Sequence, residues 1–469
     1  MNIFQSKFVV IIFLVFSRFH SKILEFPIKI QRLDKNKEKH PLRSRYLSSS
    51  LSENPIILEM WNNLFLLEIS IGTPAQKFNI LLDTGSLNLV IGDINSNVPF
   101  ANKFNKSQSS TFTSNGIPFS QAYVSGTMSG IYGEDQVGIG DIKSVNLTFG
   151  LIQKSAFATD YGDLKFDGIM GFGNTYNLNG IGPDQSIIQQ MAKNKVIGNE
   201  VFSIHYLSSF STNPESTLYV GDYHDNFTSA QPSHTGFCNC VQDILKVHYW
   251  SCSLKYILFG DIANNEFQSK KIPLKGNLIF DSGSNACIMP ISAFSTFFEE
   301  YKQQKCIELV DYTEKYILCP SLSSLKDISF VVNGYALKIK KEVIFLPVKD
   351  IELGYSGYLL QIIFSSTFSD FLLGTQFFSD YHTLFDREKQ QIHFYSYEGL
   401  IGNFTNYTKD GEWDWSEHYH LIALFVILIL LLILIFAIIY NLTCKSKSKG
   451  KNKSENEGPK LLIPAENTL

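Results

Sequence analysis

Short apolar runs separated by turn residues fill the chain from about residue 60 to 400. The clearest of them combine strand-forming residues with Gly, Asn, Asp or Ser at their ends: "LFLLEISIGTP", "KFNILLD", "TMSGIYGEDQVGIG" and "STLYVGDY". Helical segments are few, and the candidates are 184–196, 291–304 and 374–381. This pattern predicts a mainly β fold with minor helices.

Two further apolar runs lie near the ends of the chain and predict targeting to a membrane system. Phe8–Phe16 follows Lys7 and is too short to span a bilayer, so residues 1–21 are predicted to be a signal peptide, with a retained signal anchor as the alternative. Leu421–Tyr440 has 20 residues without a charge, enough to cross roughly 30 Å of hydrocarbon. Aromatic residues precede this run and five lysines between 445 and 453 follow it, which a buried core helix would not explain. We therefore expect a type I membrane protein with a cytosolic tail.

One pattern of apolar residues followed by an aspartate occurs twice. The segments "NILLDTGSLNLVIG" (79–92) and "NLIFDSGSNACIMP" (277–290) each lead an apolar strand into a carboxylate, at Asp83 and Asp281. A buried, ionised aspartate is costly unless something holds it. The duplication predicts two similar lobes that meet, so that the two carboxyls share one proton. Such a pair can activate a water molecule for attack on a peptide carbonyl without a metal or a covalent intermediate.

The residues that follow each aspartate suit loops that support such a pair: Thr84, Gly85, Ser86, Ser282, Gly283 and Ser284. The two glycines allow a tight turn and close backbone approach. The serines at 86 and 284 are predicted to hydrogen-bond the neighbouring carboxylates, and the hydroxyls at 84 and 282 to tie the two loops together. The alternative, a pair of capping turns, explains neither the apolar strand before each aspartate nor the duplication.

Composition and charge exclude several other functions. The formal net charge is −4, which does not indicate nucleic-acid binding. The sequence has no dinucleotide-binding or P-loop glycine pattern and no His/Cys cluster at metal-ligand spacing. We therefore expect no cofactor beyond a catalytic water molecule.

Six of the seven cysteines precede the predicted span, in an oxidising compartment where disulfides persist. Cys306 and Cys319 are close in sequence and are predicted to pair. The other four cysteines are Cys238, Cys240, Cys252 and Cys287. Cys238 and Cys240 are too close along a strand to pair with each other, which leaves two ways to form two disulfides. The alternative is that these four are free thiols. Cys444 lies just beyond the span and is a candidate for palmitoylation.

From about residue 60 to 400 the chain resembles the pepsin-like (A1) aspartic proteases. The segments that carry the resemblance are "LEISIGTPAQKFNILLDTGSLNL", "FNKSQSSTF", "KFDGIMGFG", "YWSCSLKYILFG" and "DFLLGTQFFSDYHTLFDRE". Cys306–Cys319 fits the family's disulfide in the second lobe. The resemblance implies a bilobal fold with a cleft between two similar β lobes. It also implies that Asp83 and Asp281 are the catalytic pair and that the substrates are polypeptides.

The family also has a flap, a β-hairpin whose tyrosine closes over the substrate. The segment "AYVSGTMSG" (122–130) matches it, which implies that Tyr123 is the flap tyrosine and that Gly126 and Thr127 bond the substrate backbone. The alternative is that Tyr123 is an ordinary hairpin aromatic residue. Phe166 is either a lining residue of a substrate pocket or part of the core.

The chain departs from the family pattern in several places. Val90 stands where the family usually has a tryptophan that helps to hold the flap tyrosine, so we expect a looser flap. The second motif is DSGS in place of the commoner DTGT, but Ser282 keeps the hydroxyl group. No cysteine precedes residue 238, so the family's disulfide in the first lobe is absent. Residues 22–45 carry eight basic and three acidic side chains and resemble a prosegment in charge and place, either solvated or lying across an acidic cleft until removal.

Together these features predict the following organisation: signal peptide 1–21, basic prosegment 22–58, first β lobe with the flap 59–213, second β lobe 214–400, luminal stalk 401–420, transmembrane helix 421–440 and cytosolic tail 441–469. The luminal glycosylation candidates are Asn105, Asn146, Asn226, Asn403 and Asn406. In the tail, "EGPKLL" resembles an acidic dileucine sorting signal, formed by Glu457, Leu461 and Leu462, that adaptor proteins would read.

The predicted function is that of a membrane-anchored aspartic endopeptidase of the secretory or endo-lysosomal pathway, made as a zymogen. A pepsin-like fold without catalysis, serving as a luminal binding protein, is the alternative. A glycosidase with two carboxylates would need its acidic groups placed differently about a sugar.

Overall fold

The structure is a computed structural model, and it describes these residues: 56–61, 64–123, 126–140, 142–157, 166–174, 186–206, 216–221, 233–241, 249–260, 262–263, 266–267, 270–311, 314–350, 355–396, 427–428, 430–432 and 435. The predicted signal peptide, stalk and tail lie outside these ranges, as does the basic segment up to residue 55. Cys444 also lies outside the described ranges. The same holds for three glycosylation candidates and for the predicted sorting signal: Asn226, Asn403, Asn406, Glu457, Leu461 and Leu462.

Only part of the predicted membrane span, 421–440, falls within the described residues. The six residues described there are helical, and their side chains are exposed. None of the helices in the described part of the chain is long and apolar enough to cross a membrane.

The described residues fold mainly into strands, as the alternation of short apolar runs and turns predicts. In the first half these are β1 (Ile56–Trp61), β2 (Leu64–Ile71), β3 (Gln76–Asp83), β4 (Leu89–Gly92), β5 (Pro118–Tyr123), β6 (Gly126–Ile139), β7 (Ile142–Phe157), β8 (Gly168–Gly171), β9 (Val201–Tyr206), β10 (Ser216–Val220) and β11 (Ser233–Asn239).

The second half continues with β12 (Ser251–Phe259), β13 (Ile262–Ala263), β14 (Glu266–Phe267), β15 (Lys270–Phe280), β16 (Cys287–Pro290), β17 (Ile307–Asp311), β18 (Glu314–Cys319), β19 (Ile328–Val332), β20 (Tyr335–Ile339), β21 (Phe345–Asp350), β22 (Tyr355–Leu360), β23 (Ile362–Ser365), β24 (Phe371–Leu373), β25 (Tyr381–Asp386) and β26 (Gln391–Ser396). The α-helices described are short: α1 (Ile187–Lys193), α2 (Phe294–Lys302), α3 (Lys341–Ile344) and α4 (Thr375–Phe378). Three of the four fall within the predicted helical segments.

The strands form two large sheets whose central parts repeat one arrangement. In the first, β3 pairs in parallel with β8, β8 in antiparallel with β4, and β4 in parallel with β7. In the second, β15 pairs in parallel with β24, β24 in antiparallel with β16, and β16 in parallel with β23. The duplicated sequence motif therefore corresponds to a duplicated structure, and each copy ends its first strand at or beside an aspartate.

Both aspartate-bearing strands are buried on two faces. On β3, Ile80 and Leu82 enter one apolar core cluster while Leu81 enters another. On β15, Phe280 enters the first of these clusters and Ile279 enters the second. Because side chains alternate across a strand, a strand covered on both sides needs a continuous apolar run. This explains the "ILL" and "LIF" triplets before the two aspartates.

The first sheet also contains strands from the C-terminal part of the chain. Its order is β11-β26-β25-β9-β10-β1-β2-β3-β8-β4-β7-β6-β5, so β25 pairs with β9 although they lie far apart in sequence. Strands from both predicted lobes therefore share one sheet. Trp250 adds a connection, because its Nε1–H donates to the carbonyl of Phe172 at 2.7 Å.

The predicted Cys306–Cys319 disulfide is present. Cys238 pairs with Cys252, whereas Cys240 and Cys287 are buried free thiols, so neither full pairing of the four is formed. Cys287 lies on β16 in the second sheet, while Cys240 directly follows β11 at the end of the first sheet. Burial raises the pKa of each free thiol to about 12, which disfavours the reactive thiolate.

Candidate active site

The two repeated aspartates lie side by side. Asp83 ends β3 and Asp281 directly follows β15, and their side chains are 0% and 2% exposed. The two carboxyl groups hydrogen-bond to each other. The structure thus brings together two acidic groups that are 198 residues apart in the chain.

A reciprocal set of hydrogen bonds joins the two loops behind the carboxyls. The N–H of Thr84 donates to Oγ of Ser282 at 3.1 Å, and the N–H of Ser282 donates to Oγ1 of Thr84 at 2.9 Å. Each hydroxyl then donates across to the other strand, Thr84 to the carbonyl of Phe280 at 2.8 Å and Ser282 to that of Leu82 at 2.9 Å. The predicted connection between the loops is therefore present, and all four polar groups are satisfied without water.

Two glycines allow the carboxyls to approach. The N–H of Gly85 donates to Oδ1 of Asp83, and that of Gly283 to Oδ1 of Asp281, each at 2.8 Å. A Cβ at residue 85 would lie 2.7 Å from Cγ of Asp281, and a Cβ at residue 283 would collide with Oδ1 of Asp83. Each glycine therefore leaves room for the carboxyl of the opposite loop.

Both serines that end the motifs were predicted to hydrogen-bond the aspartate of their own loop, but only one of them does. Ser86 donates its hydroxyl to Oδ2 of Asp83 at 2.5 Å, as predicted. The prediction for Ser284 is wrong: its hydroxyl donates to the carbonyl of Ala286 at 2.7 Å. Short hydroxyl side chains often bond their own backbone, and here that local bond replaces the one to Asp281.

This difference separates the two carboxyls electrostatically. Burial raises the pKa of Asp83 to about 6, while the hydroxyl of Ser86 and the N–H of Gly85 oppose the rise by stabilising the charged form. Burial and the charge of Asp83 raise the pKa of Asp281 well above its usual range. The hydrogen bonds from Ser86 and Gly85 therefore favour the negative charge on Asp83 when the pair holds one proton.

Two further aspartates support the strands that carry the pair. Asp167 accepts the N–H of Asn79 at 2.8 Å, and Asp370 accepts that of Asn277 at 3.4 Å. Each acceptor directly precedes β8 or β24, and each donor lies four residues before the aspartate of its lobe. Their signal in the sequence is the aspartate that precedes the apolar residues and glycine of "DGIMG" and "DFLLG", although no role was predicted for either residue.

The comparison with known proteins now decides the family. A family model described as eukaryotic aspartyl protease matches residues 64–396, which include both aspartate loops. The chain belongs to the eukaryotic aspartyl protease family. It is similar to gastricsin from Callithrix jacchus, at 26% identity over 410 residues that cover 83% of this chain and 99% of the relative. It is also similar to pepsin A from Sus scrofa, at 28% identity over 330 residues that cover 69% of this chain and 79% of the relative.

In this member of the family the predicted flap segment forms a β-hairpin. Strands β5 and β6 pair in antiparallel, with Tyr123 opposite Gly126 and Ala122 opposite Thr127. The two residues between the strands, 124 and 125, lie outside the described ranges. The side chain of Thr127 is exposed. The hairpin geometry is thus as the family resemblance implies, whereas the roles of its residues toward a substrate stay predictions.

One apolar core cluster contains residues of the hairpin strands, Phe119 and Met128, together with Leu81 and Ile279 from the strands that carry the aspartates. Phe166 is 2% exposed and its ring centroid lies 5.6 Å from that of Phe100, so it occupies a core position. Val90, the substitute for the family's tryptophan, is fully buried in the same cluster.

Tyr249 belongs to this apolar cluster too and lies near the carboxyl pair, and like the two supporting aspartates it has no role predicted from the sequence. Burial and the nearby carboxylates, Asp281 first, raise its pKa well above 10, so the phenol stays neutral. Its only signal in the sequence was its place beside the tryptophan in "YWSC".

The site also has no candidate for binding a metal in the part of the chain that is described. There, no group of three or more His, Cys, Asp or Glu side chains is placed to hold a metal ion.

Proposed function

We propose that the chain is an aspartic endopeptidase that hydrolyses peptide bonds with a water molecule activated by Asp83 and Asp281. The observation that carries the proposal is the hydrogen bond between these two buried carboxyls, each presented by one copy of a repeated loop. Two acids in such contact cannot both ionise easily, so they retain one proton between them.

The difference between the two carboxyls assigns their roles in the reaction. Asp83, whose charge is supported by Ser86 and Gly85, accepts a proton from water as the water oxygen bonds to the peptide carbonyl carbon. Asp281 gives its proton to the carbonyl oxygen. The resulting diol collapses when the C–N bond breaks, the amine nitrogen takes the proton from Asp83, and a diol hydroxyl returns a proton to Asp281. Both carboxyls thereby regain their starting states.

The supporting groups keep this pair ready for each cycle. The reciprocal bonds between Thr84 and Ser282 fix the distance between the loops, so no reorganisation is needed when charge moves between the carboxyls. The flap hairpin, with Tyr123, Gly126 and Thr127, would cover the bound peptide and bond its backbone.

The proposal extends to the setting of the enzyme. The apolar run 421–440 and the lysines after it support a single-pass type I anchor, and the basic segment 22–58 supports synthesis as a zymogen. The acidic dileucine pattern supports delivery to an endo-lysosomal compartment. We place the catalytic domain in the lumen or outside the cell, where the disulfides persist.

The test is cleavage of a peptide library by the full-length protein in detergent, compared with the variants Asp83→Asn and Asp281→Asn. Glu299→Gln is the matched control, because Glu299 is an exposed helical residue paired with Lys302. We expect the wild type and the control to cleave peptides and to be inhibited by pepstatin. The cleavage rate of each aspartate variant should fall by about 1000-fold or more, since the mechanism requires both carboxyl groups. Equal cleavage by wild type and Asp281→Asn would refute the proposal.

A catalytically silent binding protein with the same fold is the second candidate. It would bind pepstatin without cleaving any library peptide. The glycosidase alternative is disfavoured by geometry, because the carboxyl pair of a glycosidase is typically about 5 Å apart or more, whereas these carboxyls are in hydrogen-bond contact.

A further inference from the structure

A side-chain hydrogen bond connects the flap hairpin to the aspartate loop. Nδ2 of Asn88 donates to Oε1 of Gln121 at 3.0 Å. Asn88 lies five residues after Asp83 and is 6% exposed, and Gln121 lies on β5 of the hairpin. The bond therefore joins the segment that carries a reacting group to the segment proposed to cover the substrate.

Asn88 is itself held rigidly. Its carbonyl accepts the N–H of Gly171 at 3.0 Å, and the next residue begins β4. A Cβ at residue 171 would lie 2.6 Å from the N of Asn88, so the two backbones are in close contact. The backbone of Asn88 is thus held in place five residues after Asp83, and it carries the side-chain donor of the bond to Gln121.

The hairpin has few such anchors along β5. This strand lies at the edge of the first sheet and pairs only with β6 among the described strands. Phe119 is buried at the base of β5, and Gln121 comes two residues closer to the hairpin turn. Because side chains alternate along a strand, Phe119 and Gln121 occupy the same face of β5. The Asn88–Gln121 bond lies on that face, closer to the turn of the hairpin than the buried Phe119.

We propose that Asn88 and Gln121 form a positioning pair that tethers the flap hairpin above the two aspartates before substrate arrives. This inference rests on the proposed function. The bond favours the conformation of the hairpin that is competent to bind, and a protein that is only fractionally in its competent state shows a proportionally weaker apparent affinity. Neither side chain touches the reacting carboxyls in this role, so the chemistry of the pair is not altered by their loss.

The test compares Gln121→Met, which keeps the size of the side chain but removes the acceptor, with Gln121→Glu, which keeps an acceptor oxygen. Gln153→Met is the matched control, because Gln153 is an exposed residue on the neighbouring strand β7. All variants are made in the full-length protein in detergent and assayed with an internally quenched peptide taken from the wild-type cleavage products.

For Gln121→Met we expect KM to rise about two- to tenfold, the effect of one lost hydrogen bond, with kcat within about twofold of wild type. The pH dependence of kcat should stay unchanged, because the carboxyl pair is not touched. Gln121→Glu should have a KM close to that of wild type. Asn88→Ala combined with Gln121→Met should raise KM no more than either change alone. Equal KM values for Gln121→Met and Gln153→Met would overturn the proposal.

Hydrogen–deuterium exchange gives a second readout that does not depend on activity. We expect the amides of residues 119–131 to exchange faster in Gln121→Met than in wild type or Gln153→Met, since the tether restrains opening of the hairpin. A wild type that cleaves nothing would reject the proposed function but would leave this measurement to decide the tether. Unchanged exchange in Gln121→Met would reject the tether even in an active enzyme.

Discussion

Thr84 and Ser282 each donate a backbone N–H to the hydroxyl oxygen of the other, at 3.1 Å and 2.9 Å. Both residues are fully buried, so water cannot replace either bond. This exchange makes the two aspartate loops one structural unit, although they come from different halves of the chain.

The first prediction concerns the energy of this unit. Thr84→Val keeps the shape of the side chain but leaves the N–H of Ser282 without its acceptor and removes a donor to the carbonyl of Phe280. An orphaned buried polar group costs about 1–3 kcal/mol, so we expect the free energy of unfolding to fall by at least that amount. Chemical denaturation measures it, with Thr113→Val at an exposed site as the control. A loss equal to that of the control would show that the bond contributes nothing.

The second prediction concerns the space between the carboxyls. Gly85→Ala places a methyl group against the carboxyl of Asp281 and should separate the pair. We expect kcat to fall by about 100-fold or more, because a misplacement of about 1 Å at a reacting group is that costly. Gly198→Ala is the matched control, since the nearest atom to its added Cβ is 4.0 Å away. Peptide cleavage by both variants at equal concentration checks the prediction, and near-normal kcat in Gly85→Ala would contradict it.

The third prediction separates the two serines. The hydroxyl of Ser86 lowers the pKa of Asp83, so Ser86→Ala should raise that pKa. The acid side of the activity profile, where Asp83 becomes protonated and can no longer accept a proton from water, should then move to higher pH by about one unit. Ser284→Ala should leave the profile in place, because its hydroxyl bonds Ala286. Profiles of kcat against pH for the three proteins decide, and equal shifts in both variants would contradict the assignment.

The fourth prediction follows from the raised pKa values. Both aspartates bind protons more tightly in the folded chain than in the unfolded chain, so their contribution to stability is fully present below pH 3.8 and is lost as the pH rises through about 6 for Asp83. Asp83→Asn removes this cost of burying a charge. Relative to wild type, the variant should gain on the order of 1–3 kcal/mol between pH 4 and pH 7. The free energy of unfolding of both proteins, measured at pH 4 and pH 7, tests this. If it changes equally with pH in wild type and Asp83→Asn, the prediction is wrong.

The fifth prediction concerns the cysteines. Peptide mapping without reduction should show Cys238 linked to Cys252 and Cys306 linked to Cys319, with Cys240 and Cys287 as free thiols that react with alkylating reagents only after unfolding. Replacing Cys306 and Cys319 by serine should cost about 3 kcal/mol of stability, given the short loop that they close. A link between Cys240 and Cys287 would contradict the structure.

Much of the site could be predicted because local patterns encode it. The apolar triplets before Asp83 and Asp281 reflect strands buried on two faces, and the glycine and hydroxyl residues after them reflect loops that approach closely. The flap hairpin came from the resemblance of "AYVSGTMSG" to the family's flap segment, and β5 and β6 pair as that resemblance implies.

The rest depends on choices that no local pattern records. Ser86 and Ser284 occupy equivalent positions, yet one bonds a carboxylate and the other its own backbone, because a small hydroxyl group has both acceptors within reach. The bond between Asn88 and Gln121 joins segments 33 residues apart, and only the three-dimensional path of β5 brings them together.

The pairing of β9 with β25 has a consequence for how the protein is made. Thr383 lies beside Ile204, so the edge of β9 stays open until about 180 further residues have left the ribosome. At about 5–20 residues per second, translation of that stretch takes roughly 10–40 s. Throughout that interval the nascent chain presents an unfinished β edge, which can pair with strands of other chains.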